Sequence, residues 1–301
     1  MNTPPTTLVI FGISGDLAAR KILPALYWLN AAGKLPPDFT VVGVARREVT
    51  SEGLVERASE DINNVDPERL RNLQSLIRVV RMDSTKPEAY QPLYDELHKI
   101  EQGATDAVRL LHVAVPPSAA LPIIDAFGKN GLLKQMTTRL LLEKPFGFDL
   151  ASAEALETHL HRVAAEEQIY RIDHYVAKAD VQMAAEQSLG SQDIKRIEIE
   201  ASEAIGIQGR TDFYEQTGAL RDLIQSHLLV LMATIVADME AAEDIHTQRQ
   251  RILESVRPLQ PDEIALYARR GQYDGYRHEV GNSDSLTETF AELHLRLNQS
   301  Q

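Results

Sequence analysis

Over the first 172 residues, short apolar runs alternate with longer segments in which the apolar residues have helical spacing. The runs that predict strands are Thr7–Gly12, Thr40–Ala45, Ile77–Asp83, Val108–Val115 and Leu140–Glu143. The segments that predict helices are Asp16–Ala32, Ser51–Leu76, Lys86–Gly103, Ser118–Asn130 and Asp149–Gln168. Because strands that alternate with helices form parallel βαβ units, the pattern predicts an α/β fold with a doubly wound parallel sheet.

The pattern changes after Ile172, and we place a domain boundary there, between residues 1–172 and 173–301. The predicted elements of the second domain are alternating strands at Ile194–Glu203 and Thr287–Leu297 and helices at Gly218–Ala237 and Ile245–Glu254. Glu203 falls in phase with the apolar positions of its strand and is therefore predicted to face inward. Two strands and two helices predict a small, shortened α+β domain with antiparallel strands.

Composition fits a globular protein, with 44% hydrophobic and 25% charged residues. The net charge of −13 argues against a nucleic-acid surface and would repel an anionic substrate unless its site is locally basic. The absence of cysteine excludes disulfides and thiolate metal sites and favours a cytoplasmic location. No basic leader precedes the first apolar run and no stretch approaches the length of a membrane span, so we expect no targeting segment and no membrane contact.

A glycine turn, GISGDLAARK, runs from Gly12 to Lys21 after the first predicted strand. Glycines at a strand-to-helix junction let backbone N–H groups approach a pyrophosphate, whose charge the helix dipole favours. Ser14 stands where the usual Rossmann fingerprint has its second glycine, and a plain strand–turn–helix junction would also explain the turn. The second strand ends in Arg46 and Arg47 instead of an acid. This favours a 2′-phosphate and hence NADP, and two solvated arginines are the alternative.

Two groups of polar residues stand out beyond the turn. The cluster RIDHY, from Arg171 to Tyr175, suits a phosphorylated or hydroxylated substrate because cationic side chains donate to phosphate oxygens; a solvated loop is the alternative. His227 shares an apolar helix face with leucines, and on spacing alone a buried core histidine is the simpler interpretation.

The remaining histidines suggest no metal centre. His159 and His161 are two apart on a helix and point to different sides. No histidine–carboxylate set at helical spacing suggests a zinc or iron site. The other histidines have no partner pattern; they are His98, His112, His246, His278 and His294. We therefore predict that the chain binds no metal.

Seven strings occur in a fixed order between Leu8 and Leu297: GISGDLAARK, VVGVARR, VAVPP, EKPFG, RIDHY, GALRDLIQSH and SLTETF. Together they resemble successive motifs of the glucose-6-phosphate dehydrogenase family, and the resemblance covers nearly the whole chain. It implies an NADP-dependent oxidation of a sugar 6-phosphate at C1, with glucose 6-phosphate giving the 6-phosphogluconolactone. It also leaves room for a homo-oligomer formed through the second-domain sheet.

The resemblance implies roles for residues of both domains. The cofactor residues would be Gly12, Ser14, Gly15, Asp16, Leu17, Lys21, Arg46 and Pro145, the last in a cis peptide bond. The phosphate would be bound by His174, Tyr175 and Lys178, and the sugar by Lys144, Glu203 and Asp222. His227 matches the general base that accepts the hydroxyl proton, and Asp173 matches the carboxylate that orients it.

The sequence departs from the family pattern at three points. Ala177 and Ser226 replace a glycine and an asparagine of the family motifs, and the stretch between Lys178 and Ile194 is shorter than usual. Family members also continue beyond the SLTETF strand into a tryptophan-containing segment and an LRTGK motif. Two alternatives therefore stay open: an oxidoreductase acting on another cyclic sugar or sugar phosphate, and a non-catalytic NADP-binding protein.

Overall fold

The computed structural model describes residues 4–144, 146–147, 149–173, 178–179, 181, 183, 195–204, 206–207, 210–238 and 241–298. The chain divides into two compact units, Met1–Ile172 and Asp173–Gln301. Each unit has its own helices and strands.

In the described part of the first unit, six strands form one parallel sheet in the order β3-β2-β1-β4-β5-β6. The strands are β1 (Thr6–Phe11), β2 (Phe39–Ala45), β3 (Ile77–Arg81), β4 (Val108–Val113), β5 (Thr138–Leu142) and β6 (Ile169–Arg171). The predicted Rossmann-type sheet is confirmed. Its order reverses between β1 and β4, and doubly wound sheets bind ligands at such a switch point, beyond the carboxyl ends of the strands.

Helices cover both faces of this sheet. They are α1 (Leu23–Ala31), preceded by a π-helical turn (Ala18–Ile22), α2 (Ser51–Ser59), α3 (Pro67–Leu76), α4 (Gln91–Glu101), α5 (Pro117–Asn130) and α6 (Leu150–Leu160). Successive residues of β1 alternate between two buried cores: Ile10 packs with Leu23 and Leu54 on one face, and Phe11 packs with Phe127 on the other. Strands buried on both faces read as continuous apolar runs, which is why β1 was visible in the sequence.

Two predicted helices are shorter in the structure. The segment Ser51–Leu76 contains two helices, because Asp66 starts α3 by accepting a hydrogen bond from the Glu68 N–H at 2.8 Å, and Pro67 follows it. Asp149 caps α6 as expected, accepting from the Ser152 N–H at 2.9 Å. That helix ends at Leu160, and a separate 3₁₀ turn, Glu166–Gln168, precedes β6.

A buried ion pair joins α4 to β4. Arg109 Nε and Nη2 donate to the two carboxylate oxygens of Glu101 at 2.5 and 2.7 Å. Both side chains are more than 90% buried, with 9% and 8% of their areas exposed. Each charge therefore depends on the other for the solvation that it loses on burial.

A second arginine ties β6 to the end of α6. Arg171 donates to Glu157 at 2.5 Å and to Glu166 at 2.7 Å, and His161 lies 2.9 Å from the other oxygen of Glu166. The hydrogen bond from Arg171 is the main reason that the pKa of Glu166 falls to about 2.

In the described part of the second unit, helices hold more residues than strands do. Its helices are α7 (Thr211–Ala219), a π-helical segment (Leu220–Leu228), α8 (Leu229–Val236), α9 (Ile245–Glu254), α10 (Ile264–Tyr267) and α11 (Tyr276–Glu279). Its strands are β7 (Val256–Arg257), β8 (Ala268–Gly271), β9 (Phe290–Leu293) and β10 (Arg296–Leu297). They form two antiparallel pairs, β7 with β10 and β8 with β9, so the predicted α+β class with antiparallel strands is confirmed.

One carboxylate connects α7 to the loop around α11. Glu215 accepts hydrogen bonds from the Tyr276 hydroxyl at 2.5 Å, Ser285 Oγ at 2.7 Å and Asn282 Nδ2 at 3.0 Å. Burial raises the pKa of Glu215, but these hydrogen bonds together outweigh burial, and the pKa lies below its ordinary value. Burial, and then the hydrogen bond to Glu215, raise the pKa of Tyr276.

Two strand predictions for this unit are wrong in part. Thr287–Leu297 is split, because β9 pairs with β8 whereas β10 pairs with β7. The described residues 195–203 belong to no strand, although Ile197, Ile199 and Ala201 are partly buried between exposed neighbours. Alternation sets the two faces of an extended segment, but a strand also needs a hydrogen-bonded neighbour. Among the described strands, none pairs with this segment.

By length and apolar composition, Phe213–Val236 could cross a membrane, contrary to the expectation that no segment reaches that length. Core helices of water-soluble proteins satisfy the same criteria, so this is weak evidence for a span. Gly218 interrupts the helix with a φ of +64°, and Arg221 and Asp222 follow it.

We expect Arg109→Met to lower the free energy of unfolding by about 3–5 kcal/mol, because Glu101 would remain buried without its partner. The double variant Glu101→Leu/Arg109→Met should recover most of this loss, since no uncompensated charge remains. Urea unfolding of both variants measures the difference. Equal losses in the two variants would contradict this account.

We expect the coupling between Arg171 and Glu166 to depend on pH. Since folding lowers the pKa of Glu166, the pair stabilises the unit fully above the unfolded value near 4.5, and this contribution is lost as pH falls towards about 2. A double-mutant cycle with Arg171→Met and Glu166→Gln should give a coupling of about 0.5–1 kcal/mol at pH 7, because the Glu166 side chain is 57% exposed and solvent screens the pair. The same cycle near pH 2.5 should give less, and an unchanged value would refute the assignment.

Candidate active site

The glycine turn lies at the switch point of the first unit's sheet. Gly12 follows β1 with a φ of +91°, and a Cβ atom there would come within 2.5 Å of the Ala114 carbonyl oxygen, beyond the end of β4. The N–H of Gly15 donates to the Gly12 carbonyl at 2.9 Å, which closes the turn. Only glycine fits this backbone without strain. The turn leads from β1 into the following helix at the carboxyl edge of the sheet, where doubly wound folds bind ligands.

The other cofactor residues of the turn surround it on the surface. Ser14, Asp16 and Lys21 are exposed, and Leu17 is partly buried against the core. Arg46 is exposed directly after β2, on the strand next to β1. Arg46 therefore lies at the carboxyl edge of the sheet, where doubly wound folds bind ligands.

In the second unit, the structure brings Asp173 and His227 together. His227 Nδ1 lies 3.8 Å from Asp173 Oδ1, and the two side chains are 10% and 22% exposed. That distance suits an ion pair and is too long for a direct hydrogen bond, although such contacts often tighten when substrate binds. His227 lies in the π-helical segment Leu220–Leu228. π-Helical turns are rare in proteins, and those that occur are often at functional sites.

The predicted sugar-binding acids do not behave as expected. Glu203 is exposed instead of facing inward, since its segment pairs with no described strand. Asp222 is 29% exposed and lies 3.5 Å from Arg210. Both acids stand among apolar positions of the sequence, where an unpaired buried charge would be costly, but for Asp222 the structure supplies a charged partner. Lys178 is exposed.

Three predicted site residues, Pro145, His174 and Tyr175, lie outside the described residues.

The helix that carries His227 begins with a contact that the sequence analysis missed. Gly218 has a φ of +64°, and a Cβ atom there would lie 2.4 Å from Glu288 Oε1. The carbonyl of Glu288 accepts the N–H of Ala219 at 2.9 Å, and its carboxylate accepts the N–H of Leu220 at 3.0 Å. Glu288 thus satisfies the first free donors of the helix from 68 residues away. The sequence features that could have indicated this contact are the glycine before the helix and the acid in the SLTETF string.

Two family models together cover almost the whole chain. The model described as glucose-6-phosphate dehydrogenase, NAD binding domain, matches residues 9–183, and the model of the C-terminal domain matches residues 183–301. The chain belongs to the glucose-6-phosphate dehydrogenase family.

Curated relatives of the family agree over nearly all of this chain. Glucose-6-phosphate 1-dehydrogenase of Mycolicibacterium smegmatis is 34% identical over 324 residues, which covers 97% of this chain and 65% of that relative. The enzyme of the same name from Bacillus subtilis is 33% identical over 312 residues and is covered to 64% of its length. The chain therefore spans slightly less than two thirds of these relatives.

Solved structures of the family share the fold. Glucose-6-phosphate 1-dehydrogenase from Mycobacterium avium superposes with a TM-score of 0.83 at 32% identity, over 98% of this chain and 66% of that one. A glucose-6-phosphate dehydrogenase in complex with glucose 6-phosphate superposes with a TM-score of 0.88 at 26% identity and the same coverage.

Several histidines of this family member have partners that the sequence did not reveal. His112, buried in β4, lies 3.0 Å from Glu143, which follows β5 and precedes Lys144. His159 lies 2.9 Å from Asp125, at ion-pair distance but without a hydrogen-bond alignment. Partners on different strands and helices leave no spacing signal in one sequence.

One group of a histidine and two carboxylates does include a pair at helical spacing. Glu157 and His161 are four apart, and with Glu166 their ligand atoms lie within 4.8 Å of one another. Arg171 donates to both carboxylates, so a guanidinium already occupies the position that a cation would take. The two carboxylates of this group are therefore already paired with a cationic side chain.

We expect Gly218→Ala to destabilise the second unit more than Gly281→Ala does. Both glycines have positive φ, at +64° and +67°, and alanine at either position should cost about 1–2 kcal/mol. Only Gly218 also has a neighbour, Glu288, that an added methyl group would displace. Urea unfolding and turnover of the two variants measure this difference. Equal effects would show that the Glu288 contact does not hold the helix.

Proposed function

We propose that this chain catalyses the NADP-dependent oxidation of glucose 6-phosphate at C1 to the 6-phosphogluconolactone. The observation that carries the proposal is the buried His227 beside Asp173, in a chain of the glucose-6-phosphate dehydrogenase family. We assign residues 1–172 to dinucleotide binding and residues 173–301 to substrate binding.

Cofactor binding would use the glycine turn and Arg46. Gly12 and Gly15, at the junction of β1 and the following helix, would let backbone N–H groups approach the pyrophosphate. β2 ends in Arg46 and not in the acid that would bind a free 2′-hydroxyl, which supports NADP over NAD. When bound, the nicotinamide would accept the hydride that leaves C1.

The proton chemistry would belong to His227. As hydride leaves C1, the C1 hydroxyl must lose its proton for the lactone carbonyl to form. A neutral imidazole can accept that proton, and the Asp173 carboxylate would orient the ring and stabilise the imidazolium. The separation of 3.8 Å would have to shorten for a direct hydrogen bond.

Substrate binding would use cationic and hydroxyl donors. Lys178, with His174 and Tyr175, would bind the 6-phosphate, and Lys144 and Asp222 would bind sugar hydroxyls. Asp222 would then exchange or share its contact with Arg210. Glu203 is a weaker member of this set, since it is exposed and belongs to no described strand.

We expect His227→Asn to lower kcat/KM about 10³-fold and Asp173→Asn about 10²-fold, because the first removes the base and the second only its orientation. Neither should change the dissociation constant of NADP. Near-ultraviolet absorbance of the reduced cofactor measures turnover, and calorimetry measures binding.

His246→Asn is the matched control, since His246 is exposed on α9 of the same unit. Full turnover by His227→Asn would eliminate the general base assignment. Wild-type protein that binds NADP but does not oxidise glucose 6-phosphate would point to another sugar, and a panel with and without phosphate would follow.

A further inference from the structure

Arg57 lies on α2, outside every motif of the sequence analysis, and it contacts the glycine turn. Its Nη1 donates to the Ser14 carbonyl oxygen at 2.8 Å, and its Nη2 forms an ion pair with the Asp16 carboxylate. Leu54 and Ala58, on the same helix, are buried in the core beneath. α2 therefore delivers a guanidinium to the turn from a fixed position.

The contact places a positive charge beside the Asp16 carboxylate of the turn. Asp16 lies in the first helical turn after Gly15, at the end of the helix where a pyrophosphate would bind. A carboxylate there is favourable to the helix dipole but repels a second anion at the same place. Asp16 is 81% exposed on its side chain, so it faces the same solvent from which the cofactor arrives.

We propose that Arg57 is a positioning residue of the cofactor site, which neutralises Asp16 and fixes the Ser14 carbonyl so that the turn can accept a pyrophosphate. The inference rests on the proposed use of a nicotinamide dinucleotide. Because the pyrophosphate is common to NADP and NAD, Arg57 acts on both cofactors equally, whereas Arg46 distinguishes them.

A second pair on the same two segments provides the matched control. Arg20, in the π-helical turn Ala18–Ile22, lies 3.6 Å from Asp61, which follows α2. Arg20→Met removes the same charge and also breaks an ion pair, here between the π-helical turn and the residues after α2. It leaves the contacts of Ser14 and Asp16 intact.

The test is calorimetric titration of the full chain with NADP and with NAD, alongside thermal melting of each variant. We expect Arg57→Met to weaken both cofactors about tenfold and by the same factor. Arg57→Lys should weaken the binding of both cofactors about threefold, because lysine keeps the positive charge but lacks the planar pair of donors that contacts Ser14 and Asp16 together. Arg20→Met should bind both cofactors as the wild type does.

The decisive experiment is the double variant Arg57→Met/Asp16→Asn. Its affinities for NADP and NAD should lie within about twofold of those of Asp16→Asn alone, because the charge that Arg57 neutralises is gone. Additive losses in the double variant would overturn the neutralisation. Unchanged affinity of Arg57→Met, or a loss confined to NADP, would also overturn the proposal, the latter in favour of a direct 2′-phosphate contact.

The same titrations separate this inference from the proposed function. Wild-type protein that binds neither cofactor would overturn both. Binding that responds to Arg57 as described, without turnover of any sugar phosphate, would sustain the positioning role and remove the catalytic assignment.

Discussion

The close approach of Gly12 to the Ala114 carbonyl is the constraint on which the first unit depends. β1 is paired on both sides, with β2 and β4, over its whole length, so its end has little freedom to move. The chain must leave this strand with a positive φ and turn at once into a helix. A side chain at Gly12 would push β1 and β4 apart where the strand order reverses. Glycine at this position therefore lets β1 and β4 stay paired up to the edge at which doubly wound folds bind ligands.

The second unit depends on acids that organise backbone and hydroxyl donors. Glu215 gathers three donors from the loop around α11, and Glu288 supplies the missing acceptors at the start of the helix that carries His227. Carboxylates in such positions are stabilised by the donors that they satisfy. The lowered pKa of Glu215, in spite of its burial, shows that hydrogen bonding outweighs desolvation there. The helix that carries His227 is thus joined at its start to an acid 68 residues after Leu220.

Sequence patterns predicted the first unit well because its strands are buried on both faces and its helices have one apolar face. Each strand of the sheet overlaps a predicted apolar run, apart from the three residues of β6. In the second unit the strand predictions failed where the outcome depended on which strand pairs with which. Residues 195–203 show alternate partial burial without a described strand beside them, and Thr287–Leu297 divides between two partners. Periodicity reports which side of a segment is covered, and it carries no information about the element that covers it.

The candidate site shows the same limit for charged residues. An acid in an apolar segment suggests a functional role, because an unpaired buried charge is costly. Asp222 lies near Arg210, twelve residues before it, and Glu203 is exposed, so for neither residue does cost alone indicate a function. His227 differs because it is buried at ion-pair distance from Asp173, 54 residues away in the sequence, although apolar spacing favoured an ordinary core histidine. Its partner is a carboxylate, which can stabilise the charge that the imidazole gains when it accepts a proton. That pairing, more than burial, separates a histidine suited to proton transfer from one that only fills space in a core.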